Sequence, residues 1–185
     1  VPSKYRVHPP AALEAANGTL LTGGATDSLV FNVTRAGITT GSIIVNGYVG
    51  GIDQNSSQPV TDDTFDGGSG SLTLQLPGAL AILSITPAQA TATVGQTDKS
   101  YPIKMAVKNT GGAAINVSLL PANSSLAFPG TSGWGVNAPT MANGVTLSGG
   151  ETDTLSFLVL TTGGPAGVAT ITGNVTGTET NTGLT

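Results

Sequence analysis

The 185 residues carry no cysteine, a formal charge of −4 and only 9% charged side chains, against about 25% in an ordinary soluble domain. The six Lys and Arg are scattered. That argues against nucleic acid, which needs clustered cations to neutralise phosphate, and against an anionic membrane surface. The longest apolar run, residues 78–85, is far short of the ~20 residues that cross a bilayer, so no membrane insertion is expected of this segment. Low charge signals disorder only when apolar content is also low. Here apolar content is 38%, set in short alternating runs among 27 glycines, and the fold class expected is all-β. No charged-then-apolar leader follows Val1, so the chain reads as a mature product or a window onto a longer one.

Residues 1–15 read as an extended N-terminal segment holding Lys4, Arg6 and the only histidine, His8. Pro9-Pro10 removes two ladder donors and favours polyproline-like backbone. Residues 27–34 alternate, with Leu29, Phe31 and Val33 on one face and Asn32 on the other, which is the period of a half-buried strand. Residues 42–49 alternate again until Gly47 and Gly50-Gly51 loosen the pattern. Residues 52–70 read as a long polar loop with four of the ten acids: Asp53, Asp62, Asp63 and Asp66. Residues 71–76 set Leu72, Leu74 and Leu76 inward, and Pro77-Gly78 ends that run.

Residues 80–85 open the next unit almost at once, and 92–94 read as a short strand ended by Gly95. Residues 101–109 put Tyr101, Ile103, Met105 and Val107 on one face. Asn109-Thr110-Gly111-Gly112 supplies a turn with glycines suited to positive φ. Residues 114–119 return with Ile115, Val117 and Leu119 inward, as the second arm of a hairpin. A short strand is expected at 126–128, followed by Trp134 in a glycine-rich loop.

The stretch 142–177 occurs twice. Shifted back by 126, Asn143-Gly144 falls on Asn17-Gly18, Gly149-Gly150 on Gly23-Gly24, and Thr152-Asp153 on Thr26-Asp27. Leu155, Phe157 and Val159 fall on Leu29, Phe31 and Val33; Gly167, Gly173, Val175 and Gly177 fall on Gly41, Gly47, Val49 and Gly51. Self-similarity at a fixed offset marks a repeat architecture. The phase is broken, however. The first unit has no counterpart of 101–119, and the second none of 71–76. The expected layout is a segment 1–15, the C-terminal half of a first unit at 16–79, and a second unit at 80–185 lacking its last strand. Each unit then exposes an open edge, which natural proteins avoid. Either the residues belong to a longer tandem array, or neighbouring chains complete one another by strand donation.

Thr93-Val94-Gly95-Gln96, the strand 101–107 and the turn Lys108-Asn109-Thr110-Gly111-Gly112 together resemble the CARDB-type immunoglobulin-like domain of bacterial and archaeal surface proteins. The spacing of Leu147, Gly150, Phe157 and Val159 is similar to a later segment of that family, and residues 56–63 look like the polar tail found in its long tandem versions. The likeness covers residues 82–185 and, through the repeat, 16–84. It implies tandem antiparallel immunoglobulin-like β-sandwiches of about seven strands, an extracellular or cell-surface location, and adhesive or spacer work. It supplies no catalytic residue, and a fold of this kind serves many roles.

Three sets of residues are candidates for function. The sequons Asn17, Asn32, Asn55, Asn116, Asn123 and Asn174 use six of the eleven asparagines, and suit N-glycosylation on an extracellular surface or are polar filler of strand faces. Asp53, Asp62, Asp63 and Asp66 present hard oxygens suited to Ca²⁺, or cap backbone N–H groups in a solvated turn. Trp134 is placed to stack on a sugar ring, or to close one end of the core. One histidine, no cysteine and no nucleophile motif leave nothing for catalysis to use, and no cofactor other than Ca²⁺ is implied. The expected function is a non-catalytic scaffold, stalk or filament subunit whose partners are copies of itself or flanking repeats. The alternative is an accessory adhesin module that binds surface glycans or proteins.

Overall fold

The computed structural model describes residues 5–8, 10, 20–35, 40–65 and 67–185. Among them are sixteen strands and no helix, all ladders being antiparallel, with 43% of the described residues in strands. Contacts divide the chain into two compact units, Val1–Leu74 and Gln75–Thr185.

Among its described residues the first unit holds three separate two-stranded ladders. β1 (Tyr5–Val7) pairs with β2 (Val33–Arg35). Following in chain order are β3 (Gly41–Val45), β4 (Tyr48–Ile52), β5 (Pro59–Asp63) and β6 (Gly70–Leu74). β3 pairs with β6, from Gly41 opposite Leu74 to Val45 opposite Gly70, and β4 pairs with β5. Residues 52–70 are thus not one loop. A six-residue hairpin bend, 53–58, follows Ile52, and the β-branched Val60 and Thr61 sit in the returning strand. No described side chain of this unit is buried. Phe31 keeps 45% of its surface in solvent, Val33 50% and Leu72 43%. Among the described residues, the inward rows expected of Leu29, Phe31, Val33 and of Leu72, Leu74 meet no second layer within the unit, and Leu76 belongs to the second unit.

The second unit runs β7 (Leu80–Pro87), β8 (Tyr101–Asn109), β9 (Ile115–Val117), β10 (Ser125–Ala127), β11 (Gly135–Val136), β12 (Thr140–Met141), β13 (Thr146–Leu147), β14 (Thr152–Thr161), β15 (Thr172–Asn174) and β16 (Gly177–Glu179). One sheet places β14 and β8 at its centre, with β7 beyond β8 and the short β11 and β12 along the far side of β14. A second sheet runs β13-β9-β16, and β10 pairs with β15. The alternation in β8 and β14 is the period-two signal of a strand with one dry face. Met105, Val107, Leu155 and Phe157 from the first sheet meet Val117 and Leu147 from the second in one core. Tyr101, Ile103, Phe128 and Val159 continue that core toward one end. Gly173 is needed there, because a Cβ on it would lie 2.6 Å from Met105 Sδ. Gly177 is needed for the same reason, with 2.6 Å to Ile115 Cγ2.

β8 and β9 are not a hairpin, although the sequence between them reads as one. β8 pairs with β7 and β14, whereas β9 pairs with β13 and β16, so the chain crosses from one sheet to the other. The crossing is built on Asn109, which is fully buried. Its Nδ2 donates to the Ala113 and Leu147 carbonyls at 2.8 and 3.1 Å. Its Oδ1 accepts from the Gly111 and Ala79 amides at 3.0 and 3.2 Å. A side chain that saturates four backbone groups at a corner replaces the ladder bonds a hairpin would have made. Gly111 is there for close approach and not for positive φ, since a Cβ would lie 1.9 Å from the Pro77 carbonyl oxygen. Residues 92–94, expected as a strand, form none, and Val94 is half exposed.

Candidate functional site

Asp53 sits at the bend between β4 and β5. Its Oδ1 accepts from the Ser56 amide at 2.7 Å, the Ser56 hydroxyl at 2.8 Å and the Asn55 amide at 3.0 Å. These bonds, that from the Ser56 amide first, hold the carboxyl below its ordinary range. Asp62 and Asp63 follow one another in β5 and so point to opposite sides of the ladder. Asp62 accepts from the Asp63 amide and Asp63 from the Phe65 amide, each at 2.9 Å. Each of the three carboxylates is therefore engaged in local capping. Asp66 lies outside the described residues. Among the described residues no three His, Asp or Glu side chains gather.

Trp134 closes the end of the second unit's core. Its indole stacks on Phe128, with centroids 4.0 Å apart and planes 4° apart. Nε1 donates to Thr131 Oγ1 at 2.8 Å, and that hydroxyl donates to the Phe128 carbonyl at 2.8 Å. A Cβ on Gly163 would lie 2.5 Å from the Trp134 ring. One ring face and the N–H are thus used internally, which is the geometry of a lid.

The sequons differ in how available their amide nitrogens are. Asn17 lies outside the described residues. Asn32, Asn55 and Asn116 are exposed, ahead of β2, at the β4–β5 bend and in β9. Asn116 uses only its oxygen, accepting from Thr146 Oγ1 at 2.6 Å. Asn174 is exposed, but its Nδ2 donates to the Asn123 carbonyl at 3.1 Å. Asn123 is half-buried and spends Nδ2 on Ser118 Oγ at 3.0 Å, while Ser124 of the same sequon is fully buried.

A groove of about 390 Å³ lies beside Tyr101 and Trp134, lined also by Val94, Thr162, Val168 and Ile171. Residues 168–170 along it belong to no ladder, and Val168 is 100% exposed. The signal that points to it is the repeat offset, which maps 167–171 onto the paired strand β3.

Comparison with protein-family models, curated proteins and solved structures finds no match. Among the described residues no helix is long and apolar enough to cross a membrane.

Proposed function

We propose that this chain is a non-catalytic extracellular structural protein built of immunoglobulin-like repeats, acting as a surface scaffold, stalk or filament subunit. The observation that carries this is an asymmetry between the copies of the repeat. Leu155, Phe157 and Val159 are sealed under the second unit's core, while Phe31 and Val33 at the equivalent positions are half exposed. Gly173 and Gly177 are required by contact with Met105 and Ile115. Their equivalents meet far less: a Cβ on Gly47 finds nothing nearer than Thr64 Cγ2 at 3.8 Å, and one on Gly51 finds nothing within 4 Å. Met105 and Ile115 belong to the segment 101–119, and among the described residues of the first unit nothing packs on Gly47 and Gly51 in the same way. The first unit is thus patterned for a cover that another polypeptide segment supplies, as in a tandem array or in strand donation between chains.

The immunoglobulin-like assignment and the CARDB resemblance are part of this reading. They draw support from the two facing sheets of the second unit, and from the chain's crossing between them at Asn109. N-glycosylation at Asn32, Asn55 and Asn116 belongs to it too, since those side chains are exposed. Intact-mass spectrometry of native surface material, before and after deglycosylation, together with electron microscopy of the same fraction, tests it. The expected result is sugar-sized mass increments, with either fibres or a parent chain longer than these 185 residues. An unmodified monomer recovered only from inside cells overturns it.

A further inference from the structure

We propose that the groove beside Trp134 is an acceptor site for strand β6 of a second copy of this chain, which pairs with residues 167–171 through the edge that β3 leaves open, in the register that β6 has with β3. This rests on the scaffold reading above and names one contact within it.

Gly167 and Gly41 are equivalent by the repeat, and both take positive φ, 147° and 130°. Gly41 starts the strand Gly41–Val45, and Gly167 starts a run, 168–171, that belongs to no ladder. In the first unit β6 lies along the edge of β3. In the second unit the run 168–171 has no strand beside it. An extended segment with an open edge is a template for strand addition.

The side chains agree with the register. Ala169 and Ile171 are half-buried, whereas Gly167, Val168 and Thr170 are exposed, so Ala169 and Ile171 turn toward the core while Gly167 and Val168 line the groove from its open side. Carried over from β3, the register sets β6 Leu74 opposite Gly167, Leu72 opposite Ala169 and Gly70 opposite Ile171. The two leucines fall where the acceptor is small, and the glycine falls where it is large. Ile171 already packs on the cluster of Tyr101, Ile103, Phe128 and Val159, so an arriving leucine extends an existing apolar surface. The donor gains as well, because Leu72 is 43% exposed in its own two-stranded ladder. The contact joins the first unit of one copy to the second unit of another. Such head-to-tail contacts propagate into open fibres unless a rotation closes them.

The chain has no cysteine, which makes directed cross-linking clean. Leu72→Cys chains are mixed with Ala169→Cys chains and oxidised, with Thr73→Cys replacing Leu72→Cys as the control that points to the opposite face. The proposal expects a disulfide-linked pair of chains in at least tenfold higher yield with Leu72→Cys than with the control. It also expects that yield to collapse when Val168→Pro is placed on the acceptor chain, where it removes a ladder donor from a fully exposed position. Trp134 fluorescence reports that the acceptor unit stays folded throughout. Equal yields with Leu72→Cys and Thr73→Cys overturn the proposal, as does indifference to Val168→Pro. If fibres of the unmodified chain still form in that case, only the assigned contact is lost and the scaffold reading stands. If the chain stays monomeric at every concentration, self-assembly goes with it.

Discussion

The same apolar triplet meets two different fates in this molecule. In the second unit Leu155, Phe157 and Val159 stand opposite Met105, Ile103 and Tyr101 and are sealed from water. In the first unit Phe31 and Val33, in the same pattern and between the same glycines, remain about half exposed. Burying a side chain of this size is worth roughly 1.5–3 kcal/mol, so two half-exposed side chains leave about one such increment unrealised in the first unit. Alternation in a strand states which face wants cover. Whether the cover arrives depends on residues far away in the chain, here the arch from β8 to β9.

The largest expected effect breaks that comparison most directly. Phe157→Ala is expected to cost about 3–5 kcal/mol, the usual figure for emptying a core of a phenyl ring. Phe31→Ala is expected to stay within about 1 kcal/mol. Denaturant unfolding reports the first through Trp134 fluorescence, and amide exchange over residues 27–35 reports the second. Comparable losses at both positions mean that the first unit already has a covering layer.

Asn109→Ala comes next. It strands two carbonyls and two amides at the corner between the sheets, and unsatisfied buried groups cost about 1–3 kcal/mol each. Partial relaxation should leave a net loss of about 2–4 kcal/mol in unfolding of the second unit. A smaller loss than that of an exposed asparagine such as Asn116 would remove Asn109 from its corner role.

Gly24→Ala and Gly150→Ala sharpen the comparison from the other side. Both glycines take positive φ, 78° and 82°, with open space where a Cβ would go. The penalty is purely one of backbone and should be about 1 kcal/mol in each unit. Local amide exchange around each turn reads it. Unequal penalties would show that the two turns are held by different tertiary contacts.

The smallest effect is a pH dependence confined to the β4–β5 bend. Hydrogen bonds hold the Asp53 carboxyl below its ordinary 3.8. A lowered folded value means that the contribution is fully present above 3.8 and is lost as pH falls through the folded value. Amide exchange at Asn55 and Ser56 should rise in that range in the wild-type chain and be high at all pH in Asp53→Ala. A bend that is indifferent to pH overturns the capping role.

Much of the architecture was legible in single residues. The alternation in 101–109 and 152–159 marked both central strands, and their inward faces are the buried ones. Thr131 and Phe128 gave no hint that they would hold Trp134, since their contact depends on how two loops meet at the end of the core. The strand Pro59–Asp63 was hidden by its acids, which suit a loop by composition but sit here on a two-stranded ladder open to water on both faces. The hairpin expected at 109–112 failed for a related reason. Turn chemistry fixes that the chain reverses, but not which strands it reverses between.

The sequence by itself determined the period-two faces, the positions of turns and the positive-φ glycines shared by both copies, because these follow from covalent geometry and from neighbours one or two residues away. Only the tertiary structure decided that the chain crosses between sheets at Asn109, that one apolar triplet is sealed and its twin left open, and that residues 167–171 border an unfilled groove. Those outcomes depend on which surfaces meet across tens of residues of chain, where packing and desolvation outweigh any local preference.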